Sequence, residues 1–488
     1  MTAIWRRFAV AMASCLSPHS MLSENNRMTS LFTYPRAIML LVAIVALATG
    51  MAPPAWLPAG TAWTTALAFV TIGLYATGLI AEAITSLVFF LGAMLLAVAP
   101  ADVVFSGFSS TAFWIIFGGL ILGMSIRHTG LGQAIADRLL MRLPGRYSGL
   151  IAATVGAGLL LAFLMPGAMG RMVLIVPIAV AVADRAGFDE GSNGRIAVVL
   201  AAIFGTHLGS FAILPSNTPN VVWSGAMESM HGIDIGYIDY LWWHFPVLGL
   251  VRSALLVVVL VYAFPDRPGI RSEARDAPAP LDRDQRQTAL VLLVALGFWA
   301  TDALHGIGPA WVALGAALYC LFNASRLVPA KPFAALDMGP LLLLAGILGV
   351  GSVIAHAGIG EAAFTQLLPI LPLEPAANAI NYAVISIGGT ALAVLTAMPG
   401  VPAIGVPLGE TLANATGWSV QSVLTILAAS YSTYLLPYQA PPILIGAQLG
   451  QVPWGALTRF TLGFAVLSIV LVFPLHYLWL QWIGVLTG

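Results

Sequence analysis

One stretch limits what this chain can fold into: Leu164-Met165-Pro166-Gly167-Ala168-Met169-Gly170-Arg171. An apolar run from Tyr147 to Leu164 leads into it, and a second, from Met172 to Ala183, leads out. Each is shorter than the roughly 20 residues that a bilayer crossing needs. Proline removes a backbone donor and glycine weakens helical preference, so the helix must break here. Broken backbone at membrane depth persists only where protein or a water-filled cavity covers it. The same letters return as Met398-Pro399-Gly400, between the apolar runs Ala377–Ala397 and Val401–Ala413. Two interrupted apolar segments at matching places in two halves mark the substrate site of a secondary transporter.

Composition sets the solvent. Of 488 residues, 59% are hydrophobic and 8% are charged, whereas a soluble domain carries about 25% charged residues. The chain therefore reads as an all-α polytopic membrane protein whose main partner is the lipid bilayer. Its formal net charge is zero and no basic cluster is dense enough for nucleic acid. Cys15 and Cys320 stand far apart, so no disulfide framework or metal site follows, and no cofactor is implied. The only lysine, Lys331, lies in Ala-Lys-Pro, which excludes a phosphate-binding GxxxxGK[ST] loop. HExxH and GxSxG are absent, and no enzyme is expected.

Hydropathy predicts about eleven crossings and two re-entrant hairpins, 148–184 and 377–415. Residues 1–36 form a cytoplasmic tail or follow an over-early start, with Met28 as the later start; residues 37–264 carry the first repeat. A polar linker, 265–287, precedes the second repeat, 288–488. With the N-terminus inside and the C-terminus outside, every lysine and arginine but Arg171 and Arg252 falls in a cytoplasmic segment, as the positive-inside rule requires for a bacterial inner membrane. Gly118, Gly123, His128, Gly130 and Gly132 match Gly346, Gly351, His356, Gly358 and Gly360 at one constant spacing. Leu214–Asn220 likewise matches Leu436–Pro442, in elements of opposite predicted orientation. That is the pattern of an inverted-topology repeat.

Ala81-Glu82-Ala83-Ile84-Thr85, the segment from Phe108-Ser109-Ser110 to Thr129-Gly130-Leu131-Gly132, and Leu304-His305-Gly306-Ile307 together resemble the divalent anion:sodium symporter family of the ion transporter superfamily. The resemblance covers about residues 60–488. It implies sodium-driven uptake of dicarboxylates, citrate or sulfate by a homodimer with an elevator-like movement. It also implies Ser-Asn-Thr at each hairpin tip. This chain has Gly167-Ala168-Met169 and Ala397-Met398-Pro399 there, and so lacks side-chain oxygens that hard cations prefer. The expected coupling ion is thus sodium or a proton.

Candidate site residues follow from these breaks. Arg171, after Gly170 and near a helix start, offers a charged fork to a small carboxylate or sulfate anion. Its alternative is snorkelling or pairing with an acid such as Glu410. Ser216, Asn217, Thr218 and Pro219 form a broken stretch with hydroxyls, an amide and unpaired carbonyls, and Met398, Pro399, Gly400, Gln439, Ala440 and Pro441 are their counterparts. His207, with Asn217 and Asn220, is the candidate coupling-ion set, because histidine can exchange a proton near neutral pH. A histidine hydrogen-bonded between helices is the plainer alternative. Arg252 is expected to snorkel, and Glu82 and His305 to make scaffold hydrogen bonds. Other functions open to such a chain are a proton-coupled permease, an exchanger and a non-transporting receptor. In a background lacking native cysteines, a cysteine within 226–240 should react with an impermeant thiol reagent on intact cells, and one within 265–287 should not. Equal labelling would contradict the predicted topology.

Overall fold

A computed structural model describes residues 34–141, 146–165, 167–269, 280–396 and 398–486. Residues 1–33, with Cys15 and the predicted tail, lie outside the described set, as do Pro166, Ala397 and linker residues 270–279. The described chain is helical. Its principal helices are α1 Tyr34–Met51, α2 Ala62–Thr77, α3 Glu82–Leu95 and α4 Thr111–Thr129. The first hairpin is α5 Tyr147–Leu164 and α6 Ala168–Arg185, followed by α7 Asn193–Leu208 and α8 Thr218–His231. Next come α9 Tyr237–His244 and α10 Arg252–Ala263, joined by the π-helical turn Phe245–Val251. The second half has α11 Arg283–Ala300, α12 Pro309–Phe322 and α13 Gly339–His356. Its hairpin is α14 Asn378–Thr396 with a returning arm in two pieces, α15 Gly400–Gly405 and α16 Gly409–Thr416. The last helices are α17 Val420–Tyr431, α18 Pro441–Leu449, α19 Trp454–Leu467 and α20 Phe473–Trp482, with a second π-helical turn, Ser468–Val472, between the final two.

The hairpin breaks fall where proline and glycine place them. Helix α5 stops at Leu164, Gly167 takes φ +89°, and α6 begins at Ala168. Other ends follow local chemistry. Ser110, Ser192 and Ser419 cap α4, α7 and α17 by accepting from a backbone N–H three residues on. Asp282 and Gln285 form a reciprocal capping box on α11.

Among the described residues, six helical stretches are long and apolar enough to cross a membrane, and six shorter apolar helices accompany them. Ile38, Leu41, Leu91, Val258, Leu290 and Val470 turn outward, as lipid contact requires.

Polar contacts gather the ends of the helices into two faces. On one, Arg195 pairs with Asp184, the Gly194 N–H donates to Asp266 (2.7 Å), and Arg326 meets Asp284 at 2.6 Å. On the other, Thr111 bonds Glu228 and the Tyr237 N–H donates to Asp302 (2.6 Å).

The helix that carries the site is held by backbone contact. In α7 every residue from Ala197 to Leu208 is buried. A Cβ on Gly158 of α5 would stand 2.5 Å from the Thr206 nitrogen, and one on Gly205 would stand 2.8 Å from the Val155 Cα. Small residues let two helices approach this closely. Gly158→Leu should therefore force α5 and α7 apart, a class of change that costs typically 1–3 kcal/mol, roughly. The melting temperature in detergent should fall by several degrees. Gly156→Leu should leave it near wild type, since a Cβ there meets nothing within 4 Å. Equal losses at both positions would refute the backbone contact as the cause.

Candidate functional site

Arg171 stands in the first turn of α6, and its side chain is fully buried. Nη1 donates to Met165 O (2.6 Å), Ser216 O (3.0 Å) and Ser216 Oγ (3.0 Å). The Ser216 hydroxyl donates in turn to Ala162 O at 2.7 Å. One guanidinium nitrogen thus ties the hairpin interruption to the break between α7 and α8. Among the described residues, Arg171 Nε and Nη2 have no protein partner.

The α7–α8 break consists of 3₁₀ turns Gly209–Ala212 and Leu214–Ser216, after which α8 starts at Thr218 with Pro219 beside it. Its amides serve its own backbone and hydroxyls. Asn217 Nδ2 donates to Ser210 Oγ (3.0 Å), and Asn220 Nδ2 donates to Ser210 O and Ile213 O, both at 2.9 Å. Asn220 Oδ1, Thr206 Oγ1 and both His207 ring nitrogens are buried without a partner. The plainer expectation for His207, a hydrogen bond between helices, is not met.

The second break runs from the end of α17 through the 3₁₀ turn Pro437–Gln439 to α18. Gln439 Oε1 accepts from the Leu435 and Leu436 N–H groups, both at 2.8 Å, and its Nε2 is unpartnered. The two breaks meet through rings. His207 lies 5.7 Å from Tyr434, Phe204 lies 6.1 Å from Tyr434, and Phe211 lies 6.1 Å from Tyr431, centroid to centroid. The Tyr434 hydroxyl is also unpartnered.

Arg252 corrects a sequence expectation, because it does not snorkel. It is 1% exposed. Nη1 donates to Ser432 Oγ and Nη2 to Thr433 Oγ1, each at 3.0 Å, and Nε has no partner. Its cost of burial was visible in the sequence, but its hydroxyl partners lie far along the chain in the second break. Among the described residues no Asp or Glu is buried. Glu410, the acid considered for Arg171, is largely exposed and lies 4.0 Å from His231 instead.

Other expected residues are dispersed. Ala168 is buried, Gly170 and Thr218 are half-buried, and Gly167 and Met169 are exposed. Met398 is buried, whereas Pro399 and Gly400 line a separate cleft with Tyr75, Glu82, Ile347 and Thr396. Ala440 is buried beside Gln439, and Pro441 is exposed at the start of α18. His305 makes the expected local bonds, to Phe298 O and from the Ile307 N–H. Among the described residues, no group of three His, Cys, Asp or Glu side chains could hold a metal.

Broken hairpins and broken helices within an apolar helical fold define a multi-pass membrane protein of the secondary transporter class. The YdaH transporter of Alcanivorax borkumensis shares this fold at a TM-score of 0.58, over 80% of this chain and 89% of that one, with 14% identity. A protein of Cupriavidus necator described as "Membrane protein" is 25% identical over 219 residues. That match takes in 42% of each chain, so this chain spans less than half the length of that relative. The pattern of the CitMHS citrate transporters matches residues 67–430. The chain belongs to that family, within the ion transporter superfamily to which the sequence resemblance pointed.

Proposed function

We propose that this chain carries small multivalent carboxylates such as citrate across a bacterial inner membrane, and that Arg171 grips the anion. One observation carries the reading. Two guanidiniums, Arg171 and Arg252, are buried beside two facing helix breaks; among the described residues no buried carboxylate balances them, and each keeps donors that no described protein group accepts. An uncompensated charge at such depth is costly. A multivalent anion supplies both the missing charge and the missing acceptors. Ser216 bonds Arg171; Asn220, His207, Tyr434 and Gln439 carry buried polar atoms without a described protein partner, and the start of α6 adds a positive helix end. The family name supports citrate as the probe. The duplicated segments and the resemblance to anion symporters support an elevator-type movement in a homodimer.

Arg171 also bonds protein, so binding and folding must be read together. Arg171→Lys keeps the charge and can still reach Met165 or Ser216, but it loses the two-pronged fork. A charge-assisted hydrogen bond is worth about 1.5–3 kcal/mol, so citrate affinity should fall roughly tenfold to a hundredfold. The melting temperature should stay close to wild type. Arg171→Gln should bind more weakly still. Affinities and melting temperatures of wild type and both variants, measured side by side, decide the matter. Unchanged affinity in a well-folded Lys or Gln variant would remove Arg171 from the site.

A further inference from the structure

A second buried polar cluster is not used by this anion site. His244 ends α9 where the helix widens into its π turn, and His476 lies in α20 just after the other π turn. Turns of this kind are frequent at functional sites. His244 Nδ1 and His476 Nε2 are 3.1 Å apart, and His476 Nδ1 lies 2.8 Å from the Tyr382 hydroxyl of α14. Both histidines are 0% exposed and Tyr382 is 3% exposed. The outer nitrogen, His244 Nε2, has no partner among the described residues. The Tyr240 ring sits edge-on to His244 at 4.5 Å, and its hydroxyl bonds Tyr431 OH (3.0 Å) and Phe211 O (2.8 Å), which leads into the helix breaks.

The chain of contacts is complete in two proton arrangements. In one, Tyr382 donates to His476, which donates to His244 and leaves an N–H at His244 Nε2. In the other, every donor is reversed and His244 Nε2 is bare. An added proton uses the same 3.1 Å contact, with an imidazolium donating to a neutral ring. The pair can therefore take up one proton without losing either hydrogen bond.

The groups facing the pair make that uptake depend on the anion. From α9 come Tyr237, Tyr240 and the exposed Asp239; from α17, Tyr431; from α14, Tyr382; and from α20 itself, Tyr477. Among the described residues, the buried charged group joined to this cluster is Arg252, at the start of α10, which donates to Ser432, the residue after Tyr431 of the Tyr240–Tyr431 contact. Two buried positive charges repel each other, and an anion seated on Arg252 removes that repulsion. Anion and proton then favour each other's binding by the same factor. We infer that the His244–His476 pair, with Tyr382 as its hydroxyl partner, takes up the proton that accompanies the anion. This rests on the anion-carrier reading above and gives that carrier a coupling site separate from His207.

The test uses the full chain in proteoliposomes with an entrapped pH-sensitive dye, citrate as the probe and the membrane potential clamped. Wild type should acidify the lumen when citrate is added outside, and should exchange labelled citrate for internal citrate. His244→Gln and His476→Gln should lower citrate-driven acidification at least tenfold while exchange, which moves no net proton, stays within about twofold. Tyr382→Phe, which keeps the ring and removes the hydroxyl, should slow acidification severalfold. Acidification at wild-type rates in the histidine variants would overturn the inference. So would joint loss of exchange and acidification in variants that melt like wild type, or a loss of acidification seen only in His207→Gln. Absence of citrate exchange in wild type would overturn the citrate reading and this inference with it.

Discussion

The structure depends on one buried cation. The Arg171 side chain holds Met165, on one side of the hairpin interruption, to Ser216, in the break between α7 and α8. Backbone carbonyls left bare by broken helices need donors, because no lipid group can supply them. A guanidinium has five N–H donors in a fixed fork, and here the two on one nitrogen serve three acceptors, the two Ser216 oxygens sharing one of them. The same side chain that repairs the break therefore keeps donors for a ligand. That economy is open to arginine and not to lysine, whose three donors radiate from one atom.

The remaining packing serves to keep this joint in place. Gly158 and Gly205 bring α5 and α7 to backbone contact, so the hairpin arm and the broken helix behave as one unit. On the far side of α7, a Cβ on Gly446 of α18 would stand 2.9 Å from Ile203, which places the second break against the same helix. Arg252 repeats the logic with side-chain hydroxyls instead of carbonyls. Ser432 and Thr433 follow the end of α17, where the helix has stopped, and they accept from the two terminal guanidinium nitrogens. Two arginines from different helices thus each hold one helix break, Arg171 at Ser216 and Arg252 at Ser432 and Thr433.

Local rules made much of this legible. Proline and glycine at 164–171 set the first interruption, and α6 begins at Ala168 with Arg171 in its first turn. The prolines at 215 and 219 set the α7–α8 break. What the sequence hid was contact between distant segments. His244 and His476 look like ordinary polar residues in apolar crossings, and only the fold brings their rings within a hydrogen bond. Arg252 showed no adjacent break because its π turn carries only Pro246 and Gly249 as local signs. The hairpin tips share letters but not surroundings. Letters shared between Met165-Pro166-Gly167 and Met398-Pro399-Gly400 suggested equal roles, but the second tip faces Tyr75 and Glu82. A tripeptide fixes backbone shape; its neighbours decide what chemistry surrounds it.

Charge balance links the two proposed sites. Moving one elementary charge through the whole membrane field costs about 2.3 kcal/mol per 100 mV. On the reading above, a carrier that moved both guanidiniums bare would work against that field twice over. A carboxylate dianion would cancel them, and a trianion such as fully ionised citrate would leave one negative charge in excess. A proton on the His244–His476 pair removes that excess, so two guanidiniums and one proton balance one trianion. The loaded carrier is then electrically neutral, and neutrality is what permits passage through a low-dielectric interior. An anion of lower charge gains less from Arg252 and gives the proton less reason to bind. On that reading, discrimination by valence, and not by shape alone, follows from a site whose cations have no buried acidic partner among the described residues.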